Sequence, residues 1–231
     1  MLTLLKHALI SRLPSQCRVC HAWATQAVCE ACIARFAQPR KRCRQCALAL
    51  PGDARLCGAC MKTPPALDQC LAAVSYEFPW SSLIQDYKFQ SQPGLTSFFS
   101  GLLTSTPWVE PALEQAAWLI PVPLTTQSLR TRGYNQALLL ARALSNSKTQ
   151  SSWLLRRHET PAQHTLKRDQ RLQVLRHVFT VPEHLQHHLK DQSLVLVDDV
   201  MTTGATLQAA ALALRHAGAK HITGLVVART E

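Results

Sequence analysis

The segment from Val195 to Leu207 reads VLVDDVMTTGATL, and it leaves few folds open. Ser193 to Val197 is a continuous apolar run ending in two adjacent acids, the pattern of a central strand in a parallel sheet whose carboxyl end lies at a site. A small-residue turn follows and opens an alanine- and leucine-rich helix, Ala205 to Ala217, stopped by Gly218. Thr202, Thr203, Gly204, Ala205 and Thr206 offer hydroxyls and backbone N–H groups at a helix N-terminus, where the dipole and unpaired donors favour a phosphate monoester. Gly204 lets the backbone come close. Asp198 and Asp199 can accept hydrogen bonds from two vicinal ribose hydroxyls, directly or through a magnesium shell. Strands ending in an acid pair also occur in phosphate-receiving and nucleotide-hydrolysing folds. Those lack the immediate Thr-Thr-Gly-x-Thr turn, so a sugar phosphate is the expected ligand.

The other constraint lies near the N-terminus, where eight of the nine cysteines form four CxxC pairs before residue 61. Cys17, Cys20, Cys29 and Cys32 make one quartet, and Cys43, Cys46, Cys57 and Cys60 the other. Two residues between cysteines let a tight turn aim both sulfurs at one ion, and a second such turn completes a closed tetrahedral zinc site. Such a segment, short of apolar residues, needs its metal to fold. Two structural zinc ions are expected, held by sequential quartets; interleaved pairs are the alternative arrangement and redox dithiols the alternative chemistry. Cys70 opens the apolar run CLAAVSYEF and reads as a buried strand residue. His21 has no ligand to replace.

Between these two features the chain reads as alternating strands and helices. Pro64-Pro65 breaks regular structure and separates a zinc-ribbon module, residues 1–65 with a short N-terminal helix, from a core, residues 66–231. Strands are expected at Leu71 to Tyr76, Trp118 to Val122 and Ile222 to Ala228, with a weaker one at Trp153 to Leu155. Helices are expected around Ser82 to Phe89, Leu95 to Leu103, Glu110 to Ala117 and Asn135 to Leu144. Arg156 to Arg176 reads as a loop running into a helix. The result is an α/β fold with a parallel-sheet core.

With 47% hydrophobic and 17% charged residues, the composition excludes a disordered chain. Lys6, His7 and Arg12 interrupt the N-terminal apolar stretches far short of the ~20 residues of a membrane span, and no cleavable signal is evident. Paired rather than scattered cysteines suit a reducing, cytoplasmic setting. The net charge of +11 is uneven: lysine and arginine outnumber acids ten to two over residues 1–65 and eleven to three over residues 121–190. Eight thiolates around two zinc ions would lower the first excess. The second has no such internal partner, so phosphate, pyrophosphate or nucleic acid is the natural ligand class.

The Val195 to Leu207 segment resembles the 5-phosphoribosyl 1-pyrophosphate signature of type I phosphoribosyltransferases. The resemblance extends over nearly the whole chain. The CxxC pairs, YKF at Tyr87 to Phe89, PVPL at Pro121 to Leu124, RTRGYNQ at Arg130 to Gln136 and TPAQHTL at Thr160 to Leu166 follow in the order of the ComF/GntX family. Val174 departs from the family, which has an asparagine there. The resemblance implies a type I phosphoribosyltransferase-like core behind a double zinc ribbon, in a protein linked to competence and the uptake or use of external DNA. It also implies that Lys88 and Arg132 meet the pyrophosphate, Gly133 permits close approach, and Gln163, His164 and Arg171 lie on a loop over the ligand. On spacing alone, Lys88 is an ordinary amphipathic-helix lysine and Arg132 part of a basic turn.

Three readings follow from the sequence. In the first, an enzyme transfers phosphoribosyl from 5-phosphoribosyl 1-pyrophosphate with magnesium, using Asp198, Asp199, Lys88 and Arg132. In the second, the same turn serves a non-catalytic sugar-phosphate-binding module. In the third, zinc ribbons and basic residues hold single-stranded DNA or meet DNA-uptake proteins. Aromatics at 6%, not interleaved with the basic run, argue against strong base stacking.

Overall fold

The computed structural model describes residues 15–157 and 178–231. The expected N-terminal helix and the segment with Gln163, His164 and Arg171 lie outside the described residues. The order of elements is β1 (Ser15–Gln16), β2 (Trp23–Ala24), α1 (Glu30–Phe36), α2 (Gly58–Lys62), β3 (Gln69–Ser75), α3 (Trp80–Phe89), α4 (Leu95–Thr104), α5 (Val109–Gln115) and β4 (Trp118–Pro121). Then follow α6 (Thr126–Arg132), α7 (Gln136–Ser145), β5 (Leu155–Arg156), β6 (Phe179–Thr180), α8 (Gln186–Leu189), β7 (Ser193–Met201), α9 (Ala205–His216) and β8 (His221–Arg229).

Strands β3, β8, β7 and β4 form one parallel sheet in that order. Successive side chains of a strand point to opposite faces, and β7 obeys this with two apolar sets. Leu194 and Leu196 join Ile120, Ile222, Val226 and the α9 residues Leu207, Ala210, Ala211 and Leu214 on one face. Val195 and Val197 join Leu119, Leu225 and Val227 on the other, under Leu83, Ile84 and Tyr87 of α3, Phe99 of α4 and Leu140 of α7. With both faces covered, β7 has no solvent side, which is why its sequence is apolar without alternation.

Two differences from the sequence reading matter for the site. The acid pair does not end its strand, because β7 continues to Met201, paired with β8 as far as Met201 opposite Arg229. On its other side β4 stops at Pro121, opposite Val197. Asp198 and Asp199 therefore stand just past the end of one neighbour while still held by the other, at a notch in the sheet edge. Second, α6 occupies what read as a basic turn. Thr125 caps it, its Oγ1 accepting from Ser128 N at 3.0 Å. None of its residues is buried, so no apolar period marked it.

The cysteine ribbons pack on this core and across the proline pair. Cys17, Val28 and Cys32 belong to the apolar cluster of α3 and α4, and Trp80 Nε1 donates to Phe36 O at 3.0 Å. Ala47 joins the α9 cluster. Along the sheet edge, Cys70 N of β3 donates to Arg44 O at 2.7 Å. Cys70 itself is buried in β3 and belongs to neither quartet.

Candidate functional site

The acids at the notch meet cations brought by two helices. Lys88, in the last turn of α3, places Nζ 2.8 Å from Asp199 Oδ1, with the two side chains only 17% and 9% exposed. Asp198 accepts a hydrogen bond from Asp199 N at 2.8 Å. Burial first, then the Asp199 charge, pushes the Asp198 carboxyl up to about 7; the Asp199 N–H, Lys88 and Arg132 pull against this. Arg132, the last residue of α6, has its guanidinium carbon 5.1 Å from the centre of the Phe89 ring, and its Nη1 donates to Gln136 Oε1 at 3.3 Å.

Backbone contacts fix the two helix ends against each other. Buried Gln136 donates from Nε2 to Lys88 O at 3.4 Å, and the Tyr87 hydroxyl donates to Gln136 O at 3.3 Å. The Tyr134 hydroxyl donates to Tyr87 O. Lys88 and Arg132 thus ride on a braced unit. Gly133, at φ 78°, reverses the chain between α6 and α7, and a Cβ there would meet nothing within 4 Å. Its visible use is the left-handed backbone.

Beyond Met201 the chain turns through exposed Thr202 and Thr203 to Gly204, which caps α9 at φ 82°. Thr203 Oγ1 accepts from Ala205 N at 3.3 Å. Thr206 is exposed in the first turn of this twelve-residue helix. Free N–H groups and the positive end of the dipole therefore face the same solvent as the threonine hydroxyls.

The cysteines form two centres. Sulfurs of Cys17, Cys20, Cys29 and Cys32 lie within 4.8 Å of one another, as do those of Cys43, Cys46, Cys57 and Cys60. Cys20 to Cys29 and Cys46 to Cys57 are each 3.6 Å apart. A tetrahedron of sulfurs about 2.3 Å from zinc has edges of about 3.8 Å, far longer than a disulfide. The quartets fit such an ion. Both knuckles are built alike: Cys17 N donates to Ala22 O and Cys43 N to Leu48 O, with left-handed residues His21 and Ala47 at the bend. Burial raises the Cys17 thiol, but N–H groups of Cys20, Cys29 and Val19 outweigh it and hold the thiol down at about 6. The same balance puts Cys43 at about 7, through Cys57, Gln45 and Cys46. One thiolate in each quartet is thus favoured, whereas burial and then the neighbouring thiols push Cys32 up to about 12 and Cys60 up as well, and burial raises Cys46.

Comparison with known proteins matches residues 131–230 to the phosphoribosyl transferase domain, from the end of α6 through the turn and β8. Competence protein F of Haemophilus influenzae is 33% identical over 188 residues, 78% of this chain and 81% of that protein. The chain belongs to the ComF family. A DNA utilization protein, YhgH, of Escherichia coli is 29% identical over 220 residues, 93% of this chain and 95% of its own. Competence protein ComFC of Bacillus subtilis is 28% identical over 152 residues, 66% of this chain and 60% of that protein.

This ComF chain therefore carries a type I phosphoribosyltransferase domain with two four-cysteine clusters ahead of it. Its structure brings Asp198, Asp199, Lys88 and Arg132 together and sets Thr202 to Thr206 directly after the strand that carries the acids. Gly133 adjoins Arg132. Lys88 is engaged by Asp199, a pairing the sequence did not suggest. Sequence reasoning assigned nothing to Gln136, Tyr134 or Arg229. Gln136 and Tyr134 lie in RTRGYNQ, but their work is on the backbone of another helix. A cavity of about 840 Å³ lies away from the turn, between the ribbons and β3, lined in part by Arg40, Lys41, Arg42, Arg44, Arg55 and Trp108. Among the described residues no helix is long and apolar enough to cross a membrane.

Proposed function

We propose that this protein binds 5-phosphoribosyl 1-pyrophosphate, with the 5′-phosphate on the Thr202 to Thr206 turn and the ribose hydroxyls on Asp198 and Asp199. The observation that carries the reading is the ion pair of Lys88 with Asp199 on the strand that feeds a threonine-glycine turn. Lys88 and Arg132 bind the pyrophosphate, and Gly133 lets the backbone near it. The carboxylates of Asp198 and Asp199 are hard oxygen donors suited to magnesium, whose charge helps neutralise pyrophosphate when bound. In transfer, Lys88 and Arg132 stabilise the leaving pyrophosphate as its charge grows.

The quartets hold one structural zinc each, and residues 1–65 act as a zinc-dependent module on the 66–231 core. The four CxxC pairs, spaced for metal rather than for long-range bridges, suit a reducing cytoplasm. Elemental analysis should find two zinc ions per chain.

Calorimetry with 5-phosphoribosyl 1-pyrophosphate, with and without magnesium, tests the principal reading. Binding that weakens in Asp199→Asn and Thr203→Val is the expected result. Unchanged affinity in both would place the site elsewhere. A screen of nucleobases for pyrophosphate release then asks for turnover.

A second reading is favoured by the 840 Å³ cavity, lined by Arg40, Lys41, Arg42, Arg44 and Arg55 beside Trp108 at 71% exposure, although Arg40 pairs with Glu77, Lys41 with Asp53 and Arg42 with Glu231. Relatives named for competence and DNA utilization make single-stranded DNA its natural occupant. Contacts to Z phosphates give a log-log salt slope of about −0.7Z on single strands. Fluorescence titration at two salt concentrations separates the readings: tight DNA binding at physiological salt, without sugar-phosphate binding, would favour the second.

A further inference from the structure

Arg229, the last residue of β8, is 8% exposed, and among the described residues its hydrogen bonds run to carbonyls alone. Its Nε donates to Cys46 O at 2.9 Å. Its Nη1 donates to Met201 O at 3.3 Å and also to the carbonyls of Thr202 and Thr230. Cys46 belongs to the second quartet. Met201 and Thr202 begin the candidate phosphate turn. One side chain therefore holds both centres.

The charge of this side chain needs an explanation. Among the described residues none of the ion pairs includes Arg229. A buried guanidinium satisfied only by neutral carbonyls is costly unless negative charge lies near. Four thiolates around a divalent zinc carry a net charge of about −2, and the residue that Arg229 touches is one of those ligands. Metal-ligand residues are commonly oriented by such outer contacts.

We propose that Arg229 is a positioning residue that couples the metal state of Cys43, Cys46, Cys57 and Cys60 to the Thr202 to Thr206 turn. With the quartet closed on its metal, Cys46 O is fixed and the tetrathiolate balances Arg229. The guanidinium then pins the carbonyls of Met201 and Thr202, so that the N–H groups beyond them keep their aim. Packing runs the same way. Cys70 Sγ lies 3.6 Å from Met201 Sδ, and the end of the Met201 side chain fills the space that a Cβ at Gly204 would take. Thr230 N donates to Met201 O at 3.0 Å, and Glu231 accepts from Ala49 N at 2.8 Å in the second ribbon.

The first quartet offers a built-in contrast. Its described contacts run to the α3 side of the sheet: Arg18 donates to Gln92 Oε1 at 2.9 Å and pairs with Asp86 at 3.6 Å. The functional part of the proposal rests on the turn being the phosphate site. The coupling itself does not.

The experiment uses the full zinc-loaded chain, ribose 5-phosphate as the probe, and zinc release to a chromogenic chelator as one readout. Linkage requires that, if the metal supports the turn, a ligand on the turn supports the metal by the same factor. One of two zinc ions should leave several-fold more slowly when ribose 5-phosphate is bound, and Cys20→Ser, which removes a ligand of the other quartet, should leave that ion as the one observed. Arg229→Gln should abolish the protection and weaken the probe by about tenfold, the lower end for loss of an outer-shell partner; Arg229→Lys should restore part of both.

Amide exchange over 201–206 is the second readout and needs no ligand: it should quicken on zinc removal and in Arg229→Gln. Protection of neither zinc by a bound probe, or exchange at 201–206 unchanged on zinc removal, would overturn the coupling. If the wild type fails to bind ribose 5-phosphate while exchange still responds to zinc, the coupling stands and the phosphate reading falls.

Discussion

Lys88 Nζ stands 2.8 Å from Asp199 Oδ1, joining the end of α3 to the middle sheet strand β7. Because both side chains are mostly out of water, removing one partner leaves the other poorly solvated. Lys88→Met should lower unfolding stability by about 2–4 kcal/mol, below the full buried-pair cost because the lysine keeps some water. The double variant with Asp199→Asn should recover much of that loss. Urea unfolding of the four proteins gives the coupling energy; additive losses would show that the pair does not act as a pair.

Asp198 sets a pH dependence. The unfolded chain releases this proton near the ordinary aspartate value, about 3.9, whereas the folded protein keeps it up to about 7. Between those values the folded state holds the extra proton, so the contribution of Asp198 to stability falls as pH rises toward 7. Ligand binding should run the opposite way, since the ionised acid is the better acceptor for ribose hydroxyls. Ribose 5-phosphate affinity is expected to rise from pH 6 to 8. Asp198→Asn should retain only the part caused by the ligand's own phosphate, which titrates near about 6.

Gly204→Ala tests the turn. A left-handed backbone costs an alanine about 1–2 kcal/mol, and the Met201 side chain must also move aside. Gly52→Ala is the control, since Gly52 has φ 67° and nothing within 4 Å of a new Cβ. Both should lose stability in thermal melts. Only Gly204→Ala should also weaken ribose 5-phosphate.

Acid should loosen the join between the C-terminus and the second ribbon. Burial raises the Glu231 carboxyl, but the Ser75 hydroxyl, Ala49 N–H and Arg42 outweigh it and hold it below the usual glutamate range. A depressed folded value contributes stability above the unfolded one and loses it as pH falls through the folded one. Stability measured from pH 6 down to 3 should therefore fall more steeply in the wild type than in Glu231→Gln.

What could be read from the sequence followed burial. The apolar run of β7, the alanine-rich α9 and the paired cysteines each carry their pattern in adjacent residues, so strand, helix and quartets emerged in place. The extent of β7 did not, because its last four residues are held by β8, and a pairing partner leaves no mark on the strand's own letters. Helix α6 was hidden for the opposite reason: Thr126 to Arg132 buries nothing, and its start rests on one Thr125 cap. At the site, residue types pointed to the acids and the threonine turn, whereas Lys88 and Arg132 came only from the family resemblance, and nothing pointed to Lys88 meeting Asp199. Arg229 was illegible because an arginine closing an apolar strand looks like the point where the strand reaches water.

The hydrogen bond from Cys70 N to Arg44 O has a consequence for how the molecule keeps to itself. Strand β3 is the outer strand of its sheet, and an open outer strand is a template for any other chain in extended form. The second ribbon lies along that edge and occupies part of it. Metal held by Cys43, Cys46, Cys57 and Cys60 would thereby act as a guard against polymerisation: a chain stripped by a chelator should begin to self-associate through β3 while its helices still absorb as helices, and light scattering should rise before circular dichroism falls.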